Sequence, residues 1–217
     1  ELGTFKLPDN MSFDEGTFIE PLACIIRGQR VADLNKDDAL LVIGSGISGL
    51  MHIALAKSKG VKKIIATDIN DFRLNSAKKF GADLVLNATD NLDEKIREFN
   101  DGRLPDLVIV CTGSLIAAKQ ALKLVDKGSR ILFFAVPKPD EKLEVPINDF
   151  WRNEVKVMTS YGAAPRDLKE AIELISEKKL DLNDMITHKL KFEDIGKGFK
   201  LVAEAKDSIK VIVEMDE

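Results

Sequence analysis

Apolar positions along the chain alternate between two rhythms. Ala39-Leu40-Leu41-Val42-Ile43 is an unbroken apolar run of strand length, and the stretch from Leu50 to Lys59 follows it with helical character. Ile64-Ile65-Ala66-Thr67 forms a second strand-like run. Asn70-Asp71 then offers a helix start, with Leu74 and Ala77 facing a core and Gly81 as the stop. Asp83 to Asn87 reads as a third strand. Within Asp90 to Asn100, Leu92, Ile96 and Phe99 recur at helical spacing, and Asp93 and Glu94 sit in the acid-favouring first turn before Gly102 stops the helix. Leu107 to Cys111 reads as a fully buried fourth strand, Ser114 to Asp126 as a helix closed by Gly128, and Ile131 to Val136 as a fifth strand. Pro137 and Pro139 interrupt the pattern, a short amphipathic piece carries Phe150 and Trp151, and Val155 to Thr159 predicts a sixth strand.

The flanks differ. Residues 1–13 are loop-like, with a turn at Pro8-Asp9-Asn10, and one helix is predicted from Asp14-Glu15 through Phe18, Leu22, Ile25 and Ile26 to about Ala32. Downstream, Pro165 to Lys178 is a helix with Leu168, Ile172 and Ile175 on one face. Ile186 to Phe192 and Ile209 to Val213 read as strands around a helix from Phe192 to Ala205. Alternation of strand and helix over residues 39–160 predicts an α/β fold with a doubly wound, six-stranded parallel sheet and right-handed crossovers. The last two strands exceed that unit and are assigned to a second domain.

The candidate chemistry sits where the first strand meets the first crossover helix. Gly44-Ser45-Gly46-Ile47-Ser48-Gly49 is a Gly-x-Gly-x-x-Gly motif in strand–turn–helix context. The first glycine allows the tight turn, the second lets backbone approach a pyrophosphate, and the third lets helix pack on strand. The helix N-terminus then stabilises an anionic phosphate pair through unpaired N–H groups and its dipole. A side chain at Gly46 would block the ligand, and its branches would also disfavour the glycine backbone conformation. Asp68, 19 positions past Gly49 and at the end of the second apolar run, stands where a carboxylate for the ribose hydroxyls is needed. Ligands of such sheets bind beyond the carboxyl ends of the strands. The loops to read are therefore Ser45 to Gly49, Asp68 to Arg73, Thr112-Gly113, Ala135 to Lys138, and Ser160 to Ala163.

Composition narrows the partners. At 217 residues and 45% hydrophobic content the chain suffices for one complete domain plus something partial. A net charge of −4 and a pI near 5.4 provide no basic stripe, so nucleic acid and anionic membranes are not expected partners, and a small molecule is. Residues 39–56 carry no Asp, Glu, Lys or Arg, a length that would permit a membrane span, but they divide into strand, glycine turn and helix. Two cysteines, Cys24 and Cys111, make no disulfide framework, and no basic-then-apolar leader opens the chain, which points to the cytoplasm. Both cysteines are expected in the core. Glu1 rather than Met opens the chain, as in a trimmed protein.

The residues resemble the medium-chain, zinc-dependent alcohol and polyol dehydrogenases, nearest the sorbitol dehydrogenase-like branch. The marks are Lys6-Leu7-Pro8-Asp9-Asn10, Ile19-Glu20-Pro21-Leu22-Ala23, the glycine motif, Arg73 through Lys78-Lys79-Phe80-Gly81-Ala82-Asp83, Thr112-Gly113, and Ile186-Thr187-His188. They cover the C-terminal two-thirds of a family member. The resemblance implies a bridging helix within residues 1–32, an NAD-binding Rossmann domain over 33–180, and a segment over 181–217 that returns to a GroES-like catalytic domain. It implies Glu20 as the catalytic residue that touches zinc directly or through its water. It further implies cofactor contacts at Gly44, Gly46, Ser48, Gly49, Asp68, Arg73, Thr112, Gly113, Ala135, Val136, Ser160 and Tyr161, with Arg73 beside the adenosine ribose. Ser160-Tyr161-Gly162 replaces a segment that often carries a substrate-contacting Arg.

Departures bear on the chemistry. No upstream Cys, Gly-His-Glu or four-cysteine lobe is present, so three protein ligands for a catalytic zinc are not found. Cys24 lies one helical turn after Glu20 and can face the same way. His52, inside an apolar helix, and His188 read as structural rather than as a proton relay. The preferred reading is an NAD-dependent, zinc-assisted alcohol or polyol dehydrogenase whose zinc-ligand lobe is not in this chain, inactive by itself and homo-oligomeric. Such a chain should leave apolar residues such as Phe18, Leu22 and Val211 uncovered. A stand-alone NAD-binding or sensing module is the alternative, and a zinc-free quinone-reductase-like relative is a third reading that Glu20 argues against.

Overall fold

The computed structural model describes residues 4–215. The chain enters through two short helices, α1 (Phe13–Gly16) and α2 (Ile19–Val31). It then alternates β1 (Ala39–Ile43), α3 (Ile47–Ser58), β2 (Lys63–Asp68), α4 (Asp71–Lys79), β3 (Leu84–Asn87), α5 (Leu92–Phe99), β4 (Leu107–Val110), α6 (Leu115–Ala121) and β5 (Arg130–Phe133). Next come α7 (Ile147–Asn153), β6 (Lys156–Thr159) and α8 (Pro165–Ser176), followed by β7 (Ile186–Lys191), α9 (Ile195–Glu204) and β8 (Lys210–Glu214). The first six strands form one parallel sheet in the order β3-β2-β1-β4-β5-β6, and β7 and β8 form a separate parallel pair. The six-stranded order is that of a Rossmann sheet, whose direction of winding reverses between β1 and β4. Among the described residues no helix is long and apolar enough to cross a membrane.

The unbroken apolar runs are explained by cover on both faces of the sheet. Leu40 and Val42 join one core beneath α2, α3 and α8, while Leu41 and Ile43 join a second core beneath α5 and α6. Side chains alternate across a strand, so one run feeds two cores.

Four sequence expectations are corrected. The single helix predicted over 14–32 is two. Continuing α1 into α2 would need an N–H from Pro21 to the Thr17 carbonyl, which proline lacks, and its ring would clash there. The Thr17 carbonyl instead accepts from Lys210 Nζ at 3.1 Å. Ser12 and Glu15 form a capping box on α1, and the hydrogen bond from Lys178, followed by those from Ser12, lowers the Glu15 carboxyl to about 2. Secondly, α6 stops at Ala121 rather than Asp126. The Asp126 carboxylate is taken by Arg97 and the Leu104 N–H, and its own N–H donates to Ser129 Oγ at 3.0 Å, which draws the chain out of the helix. Thirdly, β5 ends at Phe133 rather than Val136, because the N–H groups of Phe134 and Ala135 both donate to the Val110 carbonyl and break the ladder.

The fourth correction concerns uncovered residues. Phe18 and Leu22 are buried, not open, and Val211 is half-buried. α2 lies against α3 and α8, and Lys210 Nζ sits 4.7 Å over the Phe18 ring. Apolar residues that do remain exposed include Phe13, Phe199 and Val202, and Trp151 beside the free edge of β6.

Candidate functional site

The three glycines of the motif are glycine for three different reasons. Gly44 has φ +93°, a conformation that L side chains avoid, and its N–H donates to the Thr67 carbonyl at 2.9 Å. An added Cβ at Gly49 would lie 1.9 Å from the Gly44 carbonyl oxygen, so α3 packs against the turn with no room for a methyl group. Gly46 differs. Its φ of −71° and ψ of −173° suit any residue, and a Cβ there would meet nothing nearer than Arg73 Nη1 at 3.9 Å. The expectation of a glycine-only backbone at Gly46 is therefore wrong, and open space in front of it is the feature that glycine preserves. Gly46 is also the N-cap of α3 without a side-chain cap, so the first N–H groups of the helix face that space unpaired among the described residues.

Asp68 closes the loop from the neighbouring strand. Its Oδ2 accepts from the Ser45 N–H at 2.8 Å and its Oδ1 from the Asn70 N–H at 3.0 Å. Arg73 Nη1 stands 3.9 Å from the same Oδ2, and Arg73 Nε is buried without a partner among the described residues. Asn70 caps α4 through the N–H groups of Phe72 and Arg73, which sets Arg73 on the first turn, over the loop.

Two cavities flank this loop. One, of about 390 Å³, brings together Gly44, Gly46, Asp68, Arg73 and Thr112 from the tips of β1, β2 and β4. The other, of about 250 Å³, brings together Glu20, Cys24, Ser48, Ser160 and Tyr161 from α2, α3 and the end of β6. Gly46 opens onto the first and Ser48 onto the second, so the start of α3 runs between them. Gly113 lines neither. A Cβ there would come 3.2 Å from the Val136 carbonyl oxygen, so the loops after β4 and β5 approach closely at this glycine. Ala135 and Val136 also line neither cavity, and Val136 points largely to solvent.

Several lining residues were not named individually from the sequence, although Ile69 lies within the Asp68 to Arg73 loop. Ile69 and Ile116 are 76% and 73% exposed, and both wall the larger cavity with Thr89 and Gln120. Nothing in their local pattern separates them from surface isoleucines. Phe134 likewise lines the smaller one, beside Gly162 of the Ser160 to Ala163 loop already marked in the sequence.

Glu20 and Cys24 do share a face. The Cys24 thiol donates to Glu20 Oε1 at 3.2 Å, which corrects the expectation of core burial for Cys24. Burial first, then the hydrogen bond and charge of Glu20, push the Cys24 thiol up to about 11. Cys111 is half-buried on the wall of the larger cavity, and desolvation raises its thiol. Ser160 Oγ is buried at the smaller cavity without a partner among the described residues. His52 is wholly buried under Phe134, 4.7 Å from its ring and edge-on, and takes no part in either cavity. His188 Nδ1 lies 3.0 Å from Thr187 Oγ1, away from both.

A sequence model described as zinc-binding dehydrogenase matches residues 48–177, more than half of the chain. The chain belongs to this family. It is 30% identical, over 99% of its length and 61% of the relative's, to the uncharacterized zinc-type alcohol dehydrogenase-like protein YdjJ of Escherichia coli K12. It is 27% identical to sorbitol dehydrogenase 1 of Saccharomyces cerevisiae, over 96% of this chain and 60% of that one. Among solved structures it superposes with TM-score 0.88 on rspB from E. coli CFT073, described as a short chain alcohol dehydrogenase complexed with cofactor NADH. That identity is 25%, and 96% of this chain and 61% of the other are covered. The chain thus spans about three-fifths of the length of the curated relatives it matches.

Catalytic zinc takes three protein ligands and an open position. Glu20 and Cys24 supply two donors, and among the described residues no cluster of three His, Cys, Asp or Glu side chains gathers to hold a metal. By themselves these residues do not fit a catalytic zinc.

Proposed function

We propose that this chain is the dinucleotide-binding part of an NAD-dependent alcohol or polyol dehydrogenase. The observation that supports it best is the unpaired start of α3, with Gly46 opening on one cavity and Ser48 on the other. The residues fit an NAD molecule: the space before Gly46 would be filled by a Cβ, and Arg73 Nε and Ser160 Oγ are buried polar atoms still without partners among the described residues. The helix N-terminus would take the pyrophosphate, Asp68 the adenosine ribose hydroxyls, and Ile69 and Ile116 the faces of the adenine. Ser48, Ser160 and Tyr161 would orient the other half. When bound, the nicotinamide supplies a hydride acceptor for alcohol oxidation. The residues here bind and orient it, and Glu20, held by Cys24, presents a carboxylate where the substrate's side of the site begins.

NAD is preferred over NADP in this reading. Asp68 is a buried carboxylate at the ribose position and would repel a 2′-phosphate, an effect that Arg73 only partly offsets. Titration should show NAD binding at least tenfold tighter, and equal affinities would sink the assignment of Asp68.

Residues 1–32 are proposed as the link and bridging helix to a catalytic domain, 33–180 as the NAD-binding domain, and 181–217 as the return segment to that catalytic domain. In the parent enzyme zinc would act with Glu20 and ligands beyond these residues. These 217 residues by themselves should bind NAD without retaining stoichiometric zinc or oxidising alcohols. Metal analysis with an assay across short alcohols and polyols checks this, and one tightly held zinc with steady turnover would refute it.

The partner chain proposed is a second copy. Among the described residues β6 pairs only with β5, leaving an open sheet edge, and beside it Val145, Ile147, Trp151 and Val157 line an apolar groove of about 730 Å³. Sedimentation of the purified chain should give a dimer or larger, and Trp151→Glu should shift it to monomer. A wild-type monomer at micromolar concentration would rule the interface out.

A further inference from the structure

We infer that Asp68 is a positioning residue for the phosphate-binding loop itself, in addition to any contact with ribose. The dinucleotide reading says what the loop holds, but the loop geometry stands without it.

Two backbone hydrogen bonds carry the inference. Asp68 Oδ2 accepts from the Ser45 N–H at 2.8 Å, inside the glycine turn, and Oδ1 accepts from the Asn70 N–H at 3.0 Å, just before α4. One buried carboxylate therefore ties the tip of β1 to the tip of β2 and the start of α4. Ser45 is fully buried, so in the intact loop its N–H meets this carboxylate and no water competes for it. The other restraints on the turn are the Gly44 N–H to the Thr67 carbonyl at 2.9 Å and Ser45 Oγ to the same carbonyl at a long 3.3 Å. None of these holds the Ser45 amide. That amide immediately precedes Gly46, the residue whose clear space admits the ligand.

Each carboxylate oxygen has a second lone pair, so Asp68 can hold the loop and still accept from a ribose hydroxyl. The two duties make different predictions. If Asp68 served ribose alone, a small neutral residue would simply relax the choice between NAD and NADP. Because it also fixes the loop, the same change should weaken both cofactors, since the phosphates common to both lose their preorganised N–H groups. Selectivity cannot be exchanged here by shortening Asp68.

The test separates loop from ribose. In the wild-type chain, a through-hydrogen-bond scalar coupling between the Ser45 nitrogen and the Asp68 side-chain carboxyl carbon should be detectable by NMR, and its absence overturns the inference without any variant. In Asp68→Ala the Ser45 amide should exchange with solvent about tenfold faster or more, while the Ile109 amide in the central sheet is unchanged. Asp68→Asn, whose amide oxygen can face Ser45, should restore the protection. The binding probe is 2′,3′-dideoxy-ADP, which lacks both ribose hydroxyls. Its affinity should fall about tenfold in Asp68→Ala and recover in Asp68→Asn. Wild-type exchange at Ser45 in Asp68→Ala, or unchanged dideoxy-ADP binding alongside weakened NAD, would show that Asp68 serves ribose only. A wild-type chain that binds neither NAD nor dideoxy-ADP removes the dinucleotide reading instead, and the coupling and exchange at Ser45 then decide the inference by themselves.

Discussion

Gly46→Val is expected to leave the fold and its stability intact and to abolish NAD binding, whereas Gly49→Ala is expected to damage the fold. The contrast follows from what each missing Cβ would meet. At Gly46 the backbone is extended, which valine adopts readily, and the nearest atom is Arg73 Nη1 at 3.9 Å, so stability should change by about 0.5 kcal/mol or less. The valine methyls would instead stand in the space through which a pyrophosphate must approach α3. At Gly49 the Cβ would fall 1.9 Å from the Gly44 carbonyl oxygen, and that oxygen belongs to a turn held at φ +93°. Neither helix nor turn can yield, and overpacking of this kind costs about 3 kcal/mol or more. Thermal unfolding with NAD titration on both variants checks the pair. NAD binding retained by Gly46→Val would remove the phosphate from this loop, and a Gly49→Ala chain as stable as the parent would mean that α3 is not pinned to the turn.

The second large effect is on acid stability. His52 is wholly buried, neither ring nitrogen has a hydrogen-bond partner among the described residues, and burial, with the nearby Lys59 charge second, lowers its pKa to about 3. The folded state therefore holds the neutral ring, while the unfolded chain protonates it near 6.5. Stability from this group is complete above pH 6.5 and is lost as pH falls from there toward 3, at about 1.4 kcal/mol per pH unit once the unfolded ring is charged. Between pH 7.5 and 5 the loss should be about 2 kcal/mol. The Glu15 carboxyl, lowered from 4.5 to about 2, contributes its own loss only below that interval. His52→Met removes the titration and an unsatisfied polar ring together. Urea unfolding should find this variant at least as stable as the parent at pH 7.5 and about 2 kcal/mol better at pH 5. Parallel stability profiles for the two chains would mean that His52 is not held neutral by burial.

Much of this protein is determined by local pattern. A run such as Ala39 to Ile43 has no polar position to turn toward water, so it becomes a strand covered on both faces whatever surrounds it. Gly44, Gly49 and Asp68 were legible because each answers a constraint within one βαβ unit. The breaks in predicted elements were decided by partners distant in sequence. Lys210 takes the Thr17 carbonyl that Pro21 leaves free, and Arg97 and Leu104 hold the Asp126 carboxylate that ends α6. Tertiary packing alone also decided which side chains stay in contact with water. Phe18 and Leu22 disappear under α8 and Lys210, while Ile69 and Ile116 stay exposed because they wall a cavity built from separate strand tips. For Gly46 the need for clear space was legible in the motif, and the structure removed only the second reason, since its backbone is ordinary. Periodicity reports which face of an element is buried, and a cavity is made where faces from different elements fail to meet.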